Sequence, residues 1–230
     1  MPDERLYTVT EACAYIEAYP VTPRRIDEVG VHHTWSPTAA DYRGQSTIAG
    51  VRHYHMDTKG WRDNGYHWMI APNGDVWRCR PMLETGAHIA GRNEHTVGIS
   101  FIANFDVQDP ATFGGLRAGY QVIAALCRRY ELDLPNIRFH REFADKTCPG
   151  TKTTFAMVRG GVGALLAGET QDPEPDPHLP DVDDWAESAV AWCKAEGLMV
   201  GYPDGSFAGR AAVTREELAV VLKRFADKEA

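Results

Sequence analysis

Val29-Gly30-Val31-His32-His33 is the stretch on which the fold turns: an apolar run of strand length, without helical spacing, that ends on two adjacent imidazoles. It reads as a buried strand. Tyr66-His67-Trp68-Met69-Ile70, then Pro72-Asn73-Gly74-Asp75, then Val76-Trp77 reads as a hairpin turning on Asn-Gly. Thr96-Val97-Gly98-Ile99-Ser100-Phe101-Ile102 supplies a third central strand. Leu116, Tyr120, Ile123, Cys127 and Tyr130 recur every three to four residues, which predicts an amphipathic helix over 115–131. Ile48, Val51 and His55 suggest another. Strands interleaved with helices make the class α/β, a mixed central sheet flanked by helices.

The chain has 230 residues, 43% of them hydrophobic and 24% charged, which suits a folded domain with an appendage rather than long disorder. No apolar run approaches the ~18–20 residues needed to cross a bilayer, so membrane insertion is not expected. Pro173, Pro175, Pro177 and Pro180, interspersed with acids, mark a semi-rigid linker. The expected organisation is a domain over 1–168, a Pro/acid-rich linker over 169–178 and a small helical module over 179–230. In the last, Trp185, Ala189, Trp192 and Cys193 form one helical face. Leu218, Val221, Leu222 and Phe225 form another, started by the capping pattern Thr214-Arg215-Glu216-Glu217.

Net charge is −8, and residues 171–230 hold 6 Lys/Arg against 13 Asp/Glu. Without a basic surface, nucleic acid is not an expected partner. The five cysteines lack paired short spacings and fit reduced thiols. The acidic start, with no apolar segment after it, carries no secretory signal. Synthesis in the cytoplasm is therefore expected.

His32 and His33 end one apolar strand, and His140 follows the apolar stretch Ile137-Arg138-Phe139, so both strand ends can face one site. Eight residues beyond His140 stands Cys148, in a Cys-Pro-Gly turn rather than a core pattern. Two imidazoles and one thiolate form a zinc set that leaves a fourth position for water, as in catalytic sites.

These residues resemble the type 2 N-acetylmuramoyl-L-alanine amidases, the family of phage lysozyme-type amidases and peptidoglycan recognition proteins. Val31-His32-His33-Thr34 resembles its first ligand motif, Trp61–Trp68 its glycine-tyrosine-histidine strand, and His88, Gly91, Asn93 and Val97-Gly98-Ile99 its substrate groove. Phe139-His140 through Lys146-Thr147-Cys148-Pro149 matches the closing motif. The resemblance implies the amidase/peptidoglycan recognition fold and Zn2+ held by His32, His140 and Cys148, with His33 a neighbour. It also implies catalytic Tyr66 and Lys146, and His88 and Asn93 in contact with glycan or peptide. The activity implied is hydrolysis of the amide between N-acetylmuramic acid and the L-alanine of the stem peptide. The recognition proteins that do not cut lack part of the metal set, typically its cysteine. His53, His55 and His67 read as packing residues or supports for a ligand imidazole. Trp35, Trp61, Trp68 and Trp77 read as core or hairpin packing ahead of the alternative, platforms on which a sugar stacks.

Leu179-Pro180-Asp181-Val182, Gly197–Phe207 and Val213–Glu217 resemble one S-layer homology module. That likeness implies secondary cell-wall polysaccharide as a partner, with Arg215, Asp204 and the Gly201–Gly205 loop near it. Such modules generally occur as three copies. One copy with an excess of acid implies local binding or self-association of chains. The expected protein is a phage or prophage endolysin acting on peptidoglycan after holin-type release. The rivals are a non-cutting peptidoglycan binder of the same fold and a cytoplasmic anhydro-muropeptide amidase.

Overall fold

In the computed structural model, six strands form one sheet: β1 (Arg5–Tyr7), β2 (Glu28–His33), β3 (Trp68–Ile70), β4 (Val76–Arg78), β5 (Thr96–Phe101) and β6 (Ile137–Phe139). Their order is β1-β4-β3-β5-β2-β6. The structure describes residues 4–21, 24–168, 189–190, 192–193, 198–199, 207 and 214–228. The chain divides into two compact units, Met1–Gly168 and Glu169–Ala230, and the sheet belongs to the first.

The sheet is mixed, as the apolar runs imply. β2 lies between β5 and β6 and pairs in parallel with both, while β4 runs antiparallel to β1 and β3. Every residue of β2 and β5 is buried, the mark of parallel strands covered on both faces. The β3–β4 hairpin turns at Gly74, whose φ of 89° an L side chain would resist. β3 starts two residues later than the sequence suggests. Asn64 accepts the Tyr66 N–H through its side chain at 3.1 Å, and that turn leads Tyr66 in from outside the ladder.

Helices α1 (Val9–Glu17), α3 (Leu116–Tyr130) and α4 (Phe155–Leu166) cover one face, where Ala12, Val31, Ile99, Phe101, Ile123 and Val158 share a core. On the other face α2 (Gln45–His53) runs on into a π-turn, Tyr54–Thr58, and Ile48 and Val51 pack on Met69, Trp77 and Ile102. The sequence reading assigns no element to β1, α1 or α4. α1 buries only Ala12 and Ile16, and α4 only Val158 and Val162, too few positions to print a helical period.

In the second unit α5 (Arg215–Lys228) is the longest described element. Leu198 is buried, and the Arg224 guanidinium donates to its carbonyl at 2.9 Å. Leu218, Leu222 and Phe225, read as one helical face, are about half exposed. The 169–178 linker, Trp185, Asp204 and the Gly201–Gly205 loop lie outside the described residues.

α3 seats on β5 at Gly119, where an added Cβ would lie 2.2 Å from Phe101 Cε1. Alanine ordinarily favours a helix by about 1 kcal/mol over glycine. Here the Phe101 ring is wedged between Phe105 and Phe113 and cannot withdraw. Overpacking of about 1–3 kcal/mol should therefore win, and Gly119→Ala should lower the urea midpoint. A midpoint unchanged or raised would mean that the ring has room.

Candidate metal centre and cleft

The parallel register Val31↔Phe139 places the next residues, His32 and His140, side by side where both strands end. Their ring centroids are 4.8 Å apart. Cys148 is delivered by the loop after β6, and three ties hold that loop. Arg141 donates from its backbone N–H to the Cys148 carbonyl, and from its guanidinium to the carbonyls of Gly150 and Thr153. Asp106 accepts from the Thr147 hydroxyl and the Thr151 N–H, both at 2.8 Å. Gly150, at φ 110°, presses on Phe105 so closely that a Cβ would sit 2.5 Å from it. The Cys148 sulfur thereby stands 3.5 Å from His32 Nδ1, and the ligand atoms of His32, His140 and Cys148 all lie within 4.8 Å of one another.

Strand alternation sends His33 to the opposite face, where its Nδ1 accepts the Phe105 N–H at 3.0 Å. Burial, with His88 and His140 nearby, holds the His32 imidazole well below its ordinary pKa. Burial takes His140 down to about 4. Both rings are therefore neutral lone-pair donors at pH 7. The Cys148 thiol is pushed up to about 12 by burial, so its thiolate needs a cation beside it. Two neutral nitrogens and one sulfur are a donor set that suits zinc, which deprotonates a coordinating thiol outright.

The ring of His88 orients His32. Its Nε2 faces the Thr96 carbonyl at 3.3 Å, and its Nδ1 faces His32 Nε2 at 3.1 Å. A carbonyl only accepts, so His88 Nε2 carries the proton. Burial pushes His88 down to about 3, so the ring is neutral and its Nδ1 accepts from His32. His32 Nε2 is then the protonated nitrogen, and the lone pair of Nδ1 points at Cys148. Carbonyl to imidazole to imidazole is the kind of support that fixes a ligand's tautomer.

The ring fits because two strands are bare beneath it. A Cβ on Gly98 would lie 2.6 Å from His88 Cδ2, and one on Gly30 would lie 3.2 Å from His88 Cε1. Asn93 Oδ1 accepts the N–H groups of His88 and Ile89, both at 2.8 Å. Arg24, buried and with no carboxylate on its guanidinium among the described residues, donates to the carbonyls of Met82, Glu84, Asn93, Glu94 and Thr96 and ties this loop down. His88 lines the cleft, but its ring nitrogens are engaged. These bonds give His88 and Asn93 a part in shaping the loop that walls the cleft.

Tyr66 packs its ring 5.2 Å from that of His32, and burial, then Cys148, drives its hydroxyl well above the ordinary phenol range. It stays a neutral donor. Lys146 is exposed on the rim. A cleft of about 500 Å³ runs along α2 past Pro37, Tyr54, Trp61 and Tyr66 to Lys146, and a second cavity of about 300 Å³ opens beside Trp35, Thr147 and Cys148.

His55 and His67 are packing residues. His55 accepts the Gly65 N–H and stacks on Trp61 at 4.8 Å, and His67 accepts the Gly98 N–H and faces the Glu84 carbonyl. His53 is exposed and pairs with Asp57. Trp68 and Trp77 are buried. Trp35 is not packed: it is 62% exposed, because its backbone turns it outward at the strand end. Arg215 is exposed at the start of α5. The sequence reading does not single out Arg24 or Gly30. A glycine inside a strand pattern is a cue to close approach, whereas nothing local marks Arg24 as buried.

The family model described as N-acetylmuramoyl-L-alanine amidase matches residues 22–151, and that of the S-layer homology domain matches 176–219. Peptidoglycan-recognition protein SC1a of Drosophila melanogaster is 33% identical over 126 residues, 53% of this chain and 66% of that protein. The Homo sapiens N-acetylmuramoyl-L-alanine amidase is 30% identical over 134 residues, 56% of this chain and 23% of that protein. The chain spans less than two thirds of either relative. An endolysin N-acetylmuramoyl-L-alanine amidase from Clostridium intestinale shares the fold at a TM-score of 0.52, with 22% identity, covering 63% of this chain and 91% of that one.

Removing the supporting ring should loosen the metal. His88→Ala should lower zinc affinity by about 10–100-fold in chelator competition. Gly98→Ala should act in the same direction by displacing the ring without deleting a polar group. Wild-type affinity in both variants would remove His88 from the support of His32.

His33 and His55 are each pushed from 6.5 down to about 4 by burial. The folded state binds fewer protons than the unfolded one, so their contribution is whole above pH 6.5 and is lost as pH falls towards 4. Urea denaturation of chelated protein should show stability declining through that window, less steeply in His55→Gln. A flat profile would contradict the neutral burial of these rings.

Proposed function

The chain belongs to the N-acetylmuramoyl-L-alanine amidase family, and we propose that its first unit is a zinc-dependent hydrolase cutting the amide between N-acetylmuramic acid and the L-alanine of the stem peptide. The observation that carries this reading is the convergence of His32, His140 and Cys148 with Tyr66 and Lys146 where two cavities meet. When bound, zinc supplies Lewis acidity, polarising the amide carbonyl and making water a nucleophile at neutral pH.

The chain's own residues do the rest. His32, locked in one tautomer by His88, and His140 offer lone pairs without changing protonation. The neutral Tyr66 hydroxyl donates a hydrogen bond to the oxyanion that forms when the carbonyl is attacked. The Lys146 ammonium, at the rim of the same space, offsets the negative charge as it develops. Buried walls around His32 and Cys148 keep the dielectric low beside the Tyr66 hydroxyl, which strengthens its bond to the oxyanion.

The S-layer homology match over 176–219 supports a second part, attachment of the enzyme to secondary polysaccharide of a bacterial wall. Arg215 and Asp204 are the residues proposed for that contact. The match covers one module, and self-association of chains would raise its avidity. Together the two parts support action on intact walls, the work of an endolysin of phage or prophage origin.

Digestion of purified walls, with and without chelator, tests the reading. New L-alanine amino termini should appear by mass spectrometry only in the presence of metal. Cys148→Ala should lose zinc and turnover together. Tyr66→Phe and Lys146→Ala should keep stoichiometric zinc while the rate falls on the order of 10²–10³. If the zinc-loaded wild type binds walls without releasing such termini, the chain is a binder and not a hydrolase.

A further inference from the structure

Resting on the hydrolase reading above, we propose that the Trp35 indole is a stacking platform for a pyranose ring of the glycan, holding the sugar side of the substrate beside the metal centre. Trp35 stands two residues beyond the end of β2 and is 62% exposed. Its φ is 60°, in the left-handed region that residues other than glycine, asparagine and aspartate seldom enter. A large apolar ring placed in water on a strained backbone gains nothing from packing. Such outliers cluster at ligand clamps.

The strain is held in place. The Trp35 N–H donates to the Ala103 carbonyl at 3.0 Å, while the Thr34 hydroxyl donates to the Pro37 carbonyl at 2.5 Å and accepts the Ala103 N–H at 3.1 Å. The backbone that carries the indole is therefore fixed at the rim of the 300 Å³ cavity, which Trp35, Thr147 and Cys148 line.

The two cavities have Thr34, Tyr66, His140 and Lys146 in common. A bond reacting beside those shared residues has one cavity open on each side of it. The larger cleft carries charges of both signs, Asp41 and Lys59, together with the Thr47 hydroxyl, and suits a stem peptide with its carboxylates and amines. The smaller offers one flat apolar face edged by a hydroxyl and an ammonium, Thr147 and Lys146. A pyranose matches that face, with its C–H side towards the ring and its hydroxyls towards the polar edge.

The test uses the full-length zinc-loaded protein and the indole N–H signal of Trp35 in NMR spectra, assigned by its loss in Trp35→Phe. Titration with the disaccharide N-acetylglucosaminyl-N-acetylmuramic acid should move the signal, and titration with L-alanyl-D-isoglutamine should leave it in place. Trp35→Ala should weaken disaccharide binding about three- to tenfold, whereas Trp35→Phe should retain most of it, with zinc content unchanged in both. The proposal is overturned if the dipeptide alone moves the signal, if neither ligand does, or if Trp35→Ala binds the disaccharide as the wild type does. Failure of the wild type to cleave any muropeptide would instead sink the hydrolase reading, and the indole titration would still report where sugar binds.

Discussion

Parallel pairing of β2 with β5 on one edge and β6 on the other is the constraint from which the site follows. It aligns His32 with the residue after β6, so that two candidate metal ligands emerge at the same height from strands about 4.8 Å apart. It also decides which of two adjacent histidines faces the cleft. A slip of one residue would turn His32 into the helix-covered core and bring His33 out, which is why both sheet faces must be packed against slippage. The helices α1, α3 and α4 on one side and α2 on the other provide that packing.

Around the ligands the protein has built a neutral polar interior. Imidazoles that would titrate near pH 6.5 in water are held uncharged by burial, and their protons are assigned by fixed acceptors, the Thr96 and Glu84 carbonyls. The positive charge nearest this network, Arg24, is dispersed over five backbone carbonyls. Such a lattice spans segments far apart in sequence, so the wall of the cleft is anchored by buried side chains, Arg24, His67 and His88, that bond to main-chain carbonyls.

Much of this is legible in the linear chain. The apolar runs ending in His33 and Phe139, the Asn-Gly hairpin and the period of α3 have strong local signals, and the structure repeats them within a residue or two. The assembly of His32, His140 and Cys148 rests on residue types and on likeness to a family, since spacing by itself cannot say that a turn 8 residues beyond His140 folds back onto β2. What stays hidden is long-range. Arg24 looks like any surface arginine until the carbonyls from 82 to 96 are brought round it. Trp35 looks like a core residue until its backbone turns it outward. Elements with few buried positions, such as α1 and α4, leave too little periodicity to be seen.

The buried thiol of Cys148 has a further consequence, for the life of the chain before metal arrives. Oxidants and electrophiles attack thiolates, and the burial that pushes this group up to about 12 keeps the metal-free sulfur in its thiol form at neutral pH. The metal-free protein thus keeps its sulfur ligand chemically dormant, protected from sulfenic acid formation by the same burial that makes it costly to ionise. A cation that took this sulfur as a ligand would also be what ionises it, so at this site deprotonation and capture of the thiolate would be one event.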